Sequence, residues 1–278
     1  MATTVLGLKT FTASDPVDYN EINDNYNKID NGVKTALKGR AAHNWLDNSD
    51  FQINQRGTSS TTTDGDYIAD RWIVNISNKA ATVSIGSGGI TLKPTSSNYV
   101  GIYQKFEHYA EMSGKVYTLG VCINGMWEST TFTMANEASG KPLPSGLRVY
   151  STGNTFQVMI RNIAGATPVT IQRVALYEGS YTADTLPAYQ PKGYAAELAE
   201  CQRYYREVYR VFGEPVGNVA REAIMLNPPM RISPTATVKS LWKGTDDTSV
   251  TVNLTANDNV DVTYTGYGNL RLSLSADL

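Results

Sequence analysis

Val250-Thr251-Val252-Asn253-Leu254, Val260-Asp261-Val262-Thr263-Tyr264 and Leu270-Arg271-Leu272-Ser273-Leu274 each place an apolar side chain at every second position. Successive side chains of a strand point to opposite faces, so each run reads as a half-buried strand of an antiparallel sheet. Between the last two runs, Tyr264-Thr265-Gly266-Tyr267-Gly268-Asn269 has the turn chemistry of a hairpin. Upstream, Trp72–Ile76, Ala81–Ile85, Val116–Val121, Phe156–Ile160 and Val169–Leu176 are further strand candidates, with Gly, Asn, Asp or Pro between them. Many short strands and no crossover helices favour an antiparallel β-sandwich over a parallel sheet.

Two segments break this pattern. Tyr19, Ile22, Tyr26, Ile29, Val33 and Ala36 recur at alternating spacings of three and four, with Asn, Asp and Lys between them. That is a heptad seam of about three repeats. Asp15-Pro16 has the form of a helix start, Asp18 and Glu21 suit the positive N-terminal end, and Gly39 suits the stop. A helix this short is marginal alone. It belongs either to a short oligomeric coiled coil or on the surface of its own chain. The second segment, Tyr194 to Phe212, carries Tyr194, Leu198, Cys201, Tyr205, Val208 and Phe212 at helical spacing after a linker from Pro187 to Gly193. Arg203, Arg206 and Arg210 lie off that seam and are expected to face solvent. The organisation expected is an N-terminal helical segment over 1–43, a β-sandwich over 44–190, and a linking helix with a small antiparallel β-domain over 191–278.

Composition narrows the function. The 278 residues include only 18% charged groups, with a formal net charge of −2 and 17 Tyr. Such a chain lacks the basic footprint of a nucleic-acid binder. No apolar run is long enough for a transmembrane helix, and residues 1–9 have neither the basic nor the apolar region of a secretory signal. Cys122 and Cys201 form neither a disulfide framework nor a zinc motif, which suits synthesis in a reducing cytoplasm.

Catalytic signatures are missing from the sequence: there is no GxSxG, HExxH or phosphate-binding loop. His43 and His108 have no orienting partner that the sequence identifies. Asp64, Asp66 and Asp70 form the one local acidic cluster, read as a polar turn followed by an Asp70–Arg71 pair. A structural calcium ion could be built from such carboxylates, but no spacing supports one, so no catalytic residue, metal or cofactor is assigned. Aromatic side chains in a chain rich in Asn, Gln and Asp suit sugar recognition, rings against apolar sugar faces and amides on hydroxyls. Trp127, after the Asn124-Gly125 turn, and Trp242 and Tyr267, close to glycines, are the candidate contacts. Trp72 is expected in the core.

Specific strings then resemble a known family. Asn44-Trp45-Leu46-Asp47-Asn48-Ser49-Asp50-Phe51-Gln52-Ile53-Asn54-Gln55-Arg56-Gly57, followed by Tyr67-Ile68-Ala69-Asp70-Arg71-Trp72, resembles the opening of a domain in bacteriophage tail-fibre and prophage receptor-binding proteins. Glu197-Leu198-Ala199-Glu200-Cys201-Gln202-Arg203-Tyr204-Tyr205 is similar to the helix that follows it. Pro228-Pro229-Met230-Arg231-Ile232-Ser233-Pro234-Thr235 and Leu274-Ser275-Ala276-Asp277-Leu278 are similar to its C-terminal β-unit. The resemblance implies a jelly-roll-like sandwich in a trimeric virion fibre or tail tip that recognises the bacterial surface. It implies attachment to other tail or baseplate proteins through the N-terminal segment, with host-surface glycan as partner and the motif residues themselves structural. Ile at two seam positions is compatible with three strands, while Tyr at two others leaves the stoichiometry open. A glycan-degrading tail depolymerase and a cellular carbohydrate-binding module are the alternatives.

Overall fold

The computed structural model describes residues 8, 18–38, 42–153, 157–213, 219–244, 248–254 and 256–278. The protein is mainly β, and its described strands pair antiparallel throughout. One six-stranded sheet runs in the order Tyr67–Ala69, Trp72–Ile76, Val100–Lys105, Gln157–Asn162, Arg148–Thr152, Asn136–Pro142. Facing it are a four-stranded sheet (Ser60–Thr61, Thr82–Gly86, Gly89–Lys93, Val169–Ile171) and a three-stranded sheet (Arg173–Glu178, Val116–Ile123, Met126–Thr133). Trp72, Val74, Ile102 and Ile160 from the first meet Val83, Leu92, Leu119 and Leu176 from the others in one buried core. Trp72 is the largest of these side chains and is 1% exposed, as expected. The strand expected from Phe156 runs from Gln157 to Asn162; Phe156 itself lies outside the described residues.

Helix α1 covers Tyr19–Lys38. Asp18 stands at its N-terminus, its carboxylate accepting the Asn20 N–H at 2.9 Å. That bond satisfies one of the first-turn donors a helix leaves unpaired. Asp15-Pro16 and Gly39, the expected start and stop, lie outside the described residues. A short helix α2 covers Tyr109–Met112 within the sandwich.

The second expected helix is shorter than its spacing suggests. Helix α3 covers Tyr194–Gln202, and the chain then enters a strand, Tyr205–Phe212. Aromatic and β-branched residues dominate that strand, and it pairs along its whole length with Gly268–Ser275. Arg206 is correspondingly not solvated. It is 6% exposed, and its guanidinium donates to the carbonyls of Asn227 and Pro228 (3.4 and 2.6 Å).

The C-terminal unit is itself two small sheets. Tyr205–Phe212, Gly268–Ser275 and Thr235–Lys243 form one; Ala220–Met225, Asn259–Thr265 and Ser249–Leu254 form the other. Strands Asn259–Thr265 and Gly268–Ser275 are therefore not a hairpin pair. Gly266, at φ 64°, carries the chain from one sheet to the other. Val260 and Val262 then face Leu270, Leu272 and Leu274 across a shared core, which buries both apolar rows where a hairpin would set them side by side.

Gly89 closes the two-residue turn of the Thr82–Gly86/Gly89–Lys93 hairpin with φ 111°, and a Cβ there would collide with the Ile171 carbonyl oxygen. Gly89→Ala combines a strained φ with a backbone clash, so a loss of about 2–4 kcal/mol is expected in urea unfolding. Gly57→Ala, also at positive φ (69°) but in open space, is the control and should lose less.

Candidate functional site

Almost every string that carries the family resemblance meets at one place, the junction of the sandwich with α3 and the C-terminal unit. Asn48 organises it. Fully buried, its amide donates to the carbonyls of Ile53 and Asp70 (both 2.8 Å) and accepts from the Ile53 N–H (2.9 Å). Its own carbonyl accepts the Trp72 indole N–H at 2.8 Å, and its N–H donates to Glu197 of α3. Asn tolerates the φ of 48° found there better than most residues do.

Asp70 and Arg71 do not pair with each other. They are the two loop residues of the Tyr67–Ala69/Trp72–Ile76 hairpin and point to different partners. Arg71, 3% exposed, donates to Asp47 (3.0 Å) and the Lys105 carbonyl (2.7 Å), and its guanidinium lies 3.5 Å from the Tyr204 ring centroid. These contacts oppose the cost of its φ of 72°. Asp70 accepts from the backbone and side chain of Gln55 and faces Arg56 at 3.6 Å. Burial is the dominant influence on Asp70 and pushes its carboxyl up; the Gln55 bonds and Arg56 pull the other way.

Arg56 joins the two units. Its guanidinium lies between the rings of Tyr67 and Tyr205, 3.9 and 3.8 Å from their centroids, and pairs with Asp277 at 2.5 Å. Gln55 donates to the Tyr205 carbonyl (2.8 Å), Lys105 to the Leu278 carbonyl oxygen (2.8 Å), and the Ala276 N–H to the Tyr204 carbonyl (2.7 Å). Arg203 and Arg231 both reach Glu107, at 3.1 and 3.7 Å. Most of these groups find a partner within the junction, while Arg56 Nη1, Arg231 Nε and Asp277 Oδ1 are buried without a hydrogen bond among the described residues; the pairing gives the motif strings a structural role. Cys201 is buried beside them, and burial pushes its thiol far above the ordinary range.

Asp64 and Asp66 belong elsewhere. Asp64 accepts the Ile76 N–H (2.8 Å) and Asp66 the Thr61 hydroxyl, so the three aspartates form no common site. Carboxylates of Asp47, Glu197 and Glu200 do converge within 4.8 Å. The Lys192 ammonium lies among them, bonded to Glu200 at 2.5 Å and 3.8 Å from Asp47, and supplies the compensating charge. His43 and His108 border a nearby cleft of about 180 Å³; His43 packs on Trp45 and His108 faces Glu111, 3.8 Å away.

The aromatic candidates divide. Trp127 is half-buried against Tyr189, ring centroids 5.8 Å apart, in a small cluster with Tyr177 and Leu186. Trp242 and Tyr267 come together on the C-terminal unit, centroids 6.1 Å apart, with 57% and 39% of their surfaces exposed. Gly244 leaves space for the Tyr267 ring, which a Cβ would overlap. In the sheet register Val211, Asn269 and Trp242 form one row, and Tyr209, Arg271 and Ser240 the next. Directly opposed residues share a face. Tyr209 and Val211 are both exposed there, and Arg271 is held by Glu207. Sequence spacing missed Tyr209 because it reads as part of a helix.

The stripe on α1 is uncovered. Tyr19, Tyr26, Ile29 and Val33 are exposed, Ala36 likewise, and Ile22 is partly so. Asp24–Lys28 and Asp30–Lys34 pairs bridge successive turns on its other faces. No described helix is long and apolar enough to cross a membrane. Comparison with family models and with curated proteins finds no match for this chain.

Arg56→Ala should expose what the junction depends on. It leaves Asp70 and Asp277 without their cation, and removing one partner of a buried pair costs about 3–5 kcal/mol. Asp70 has a raised carboxyl pKa, so the folded state takes up its proton more readily than the unfolded chain. Protonated Asp70 needs no cation. The difference from wild type should therefore be largest at neutral pH and shrink as pH falls through Asp70's raised value, measured by urea unfolding across that range.

Proposed function

We propose that this protein is a non-enzymatic structural component of a phage or phage-like tail fibre or tail tip, in the virion, that binds host-surface glycan as a homotrimer. The N-terminal segment attaches it to other tail or baseplate proteins and α1 joins three copies. The jelly-roll-like sandwich and C-terminal unit are carried outward. The observation that carries this reading is the uncovered heptad stripe of α1. Leaving Tyr19, Tyr26, Ile29 and Val33 in water is unfavourable, and covering their remaining exposed surface in a bundle gains on the order of 1 kcal/mol each. The convergence of the motif strings supports the family resemblance, since residues distant in sequence lock into one junction.

The glycan part rests on the exposed Trp242–Tyr267 pair beside Asn269, Ser240 and Arg271. Ring faces suit the apolar faces of sugars, and the flanking amide, hydroxyl and guanidinium suit their hydroxyls. Three weak sites on one trimer raise the effective concentration of each for a repeating polysaccharide, so no single site needs to be tight.

Light scattering of the full chain should give a trimer of about 91 kDa from chains of 30.3 kDa. Ile29→Asp with Val33→Asp should yield monomers whose β-core unfolds as before, because both side chains are exposed. A monomeric wild type at micromolar concentration overturns the trimer. On an array of bacterial lipopolysaccharides and capsular polysaccharides, Trp242→Ala with Tyr267→Ala should lose at least tenfold in apparent affinity. Stability should change by about 0.5 kcal/mol or less. New reducing ends appearing during incubation would instead favour the depolymerase.

A further inference from the structure

A second cleft lies on the sandwich, apart from the Trp242–Tyr267 pair. It encloses about 610 Å³, within the size range of small-molecule sites. One wall is bare backbone, the hairpin turn Gly86-Ser87-Gly88-Gly89; the others present Asp50, Gln52, Gln172, Arg173 and Tyr189.

Gln172 is held in place yet keeps hydrogen-bonding capacity, and the Arg173 side chain keeps all of its own. The Gln172 carbonyl oxygen accepts from the Gly125 N–H at 2.6 Å and the Cys122 thiol at 3.6 Å, which orients the amide. Its NH₂ bonds no other described residue. Arg173 is exposed and makes no ion pair or hydrogen bond among the described residues; its guanidinium lies 5.7 Å from the Tyr189 ring centroid. Tyr189 is fixed by the Ser49 hydroxyl at 2.9 Å and by packing on Trp127. Asp50 orients Gln52. The lining thus offers a carboxylate acceptor, a guanidinium donor and two amides around an aromatic side chain.

Its charge is balanced, one cation against one anion, so the lining carries no net charge to select an ion of one sign. A ligand that both donates and accepts at several adjacent positions matches this set; a simple anion would meet Asp50, and a simple cation Arg173. We propose that this cleft binds a single uncharged sugar ring, a second subsite that rests on the glycan reading above but not on the Trp242–Tyr267 face. Adjacent hydroxyls would bond Asp50 and Arg173, with the Gln52 and Gln172 amides bonding the remainder.

The glycine turn provides a clean test. Gly88 has an ordinary φ, and a Cβ there meets nothing within 4 Å, so Gly88→Leu adds bulk to the cleft wall without touching the core. Saturation-transfer NMR on the full chain, with the methyl glycosides of glucose, galactose and N-acetylglucosamine, should show millimolar binding of at least one. Gly88→Leu and Arg173→Ala should each reduce it at least tenfold with unchanged melting temperature, while Trp242→Ala with Tyr267→Ala should leave it in place. Binding lost only in the Trp242/Tyr267 variant overturns this subsite and leaves the glycan reading standing. Preference for glucuronate over the methyl glycosides overturns the uncharged-ligand assignment. Absence of binding by all these sugars overturns the subsite, and the polysaccharide array then decides the broader reading separately.

Discussion

A guanidinium between two tyrosine rings is the contact on which the arrangement of the two β-units depends. Arg56 comes from the loop that opens the sandwich, Tyr67 from its first hairpin, Tyr205 and Asp277 from the C-terminal unit. Arg71 repeats the scheme with Asp47 and Tyr204. Arginine suits this role because its planar group stacks while its edge donates several hydrogen bonds. A lysine there would keep the charge and lose the stack. The junction is polar, and polar junctions specify geometry only when their groups are matched. Asn48 achieves this by bonding with its backbone and side chain at once, tying the loop, the hairpin and α3 together.

Much of the fold was legible because most strands expose one face. Alternation at 250–254, 260–264 and 270–274 gave correct strands, and the structure extends each only slightly. Which strands pair was not legible. Turn residues around Gly266 fit a hairpin and a crossing between sheets equally well, and only the need to cover both apolar rows decides between them. The misread strand Tyr205–Phe212 has a different cause. The face that carries Val208 and Phe212 also carries Arg206, bonded to the Asn227 and Pro228 carbonyls, and the exposed Arg210, paired with Glu222, so the apolar period of two was masked. What remained was Tyr205, Val208 and Phe212, whose spacing of three and four mimics a helix.

The aromatic sites show the same limit. Trp242 and Tyr267 could be singled out by residue type and nearby glycine, but their meeting depends on register, with Trp242 opposite Asn269 and Tyr267 two residues before it. Trp127 has the same sequence credentials and packs against Tyr189 because the sandwich supplies a neighbouring apolar cluster. The Asp50–Arg173 cleft had no signature at all. Its residues come from four separated loops and strand ends, and its glycine wall is visible in sequence only as an ordinary hairpin turn.

Weak sites and a short helix belong to one physical scheme. A 20-residue helix with an uncovered stripe is poorly stabilised alone, whereas in the proposed trimer three such helices would cover one another and point the β-units of all three chains in a common direction. In that arrangement the proposed sugar-facing surfaces would not each need high affinity. The sparse charge across the chain fits this arrangement, because strong like-charge fields would oppose both the bundle and close approach to an anionic cell surface. Disrupting α1 should therefore weaken polysaccharide binding much more than it weakens binding of a single sugar. An equal loss in both would mean that α1 acts on the binding faces themselves and that avidity is not its contribution.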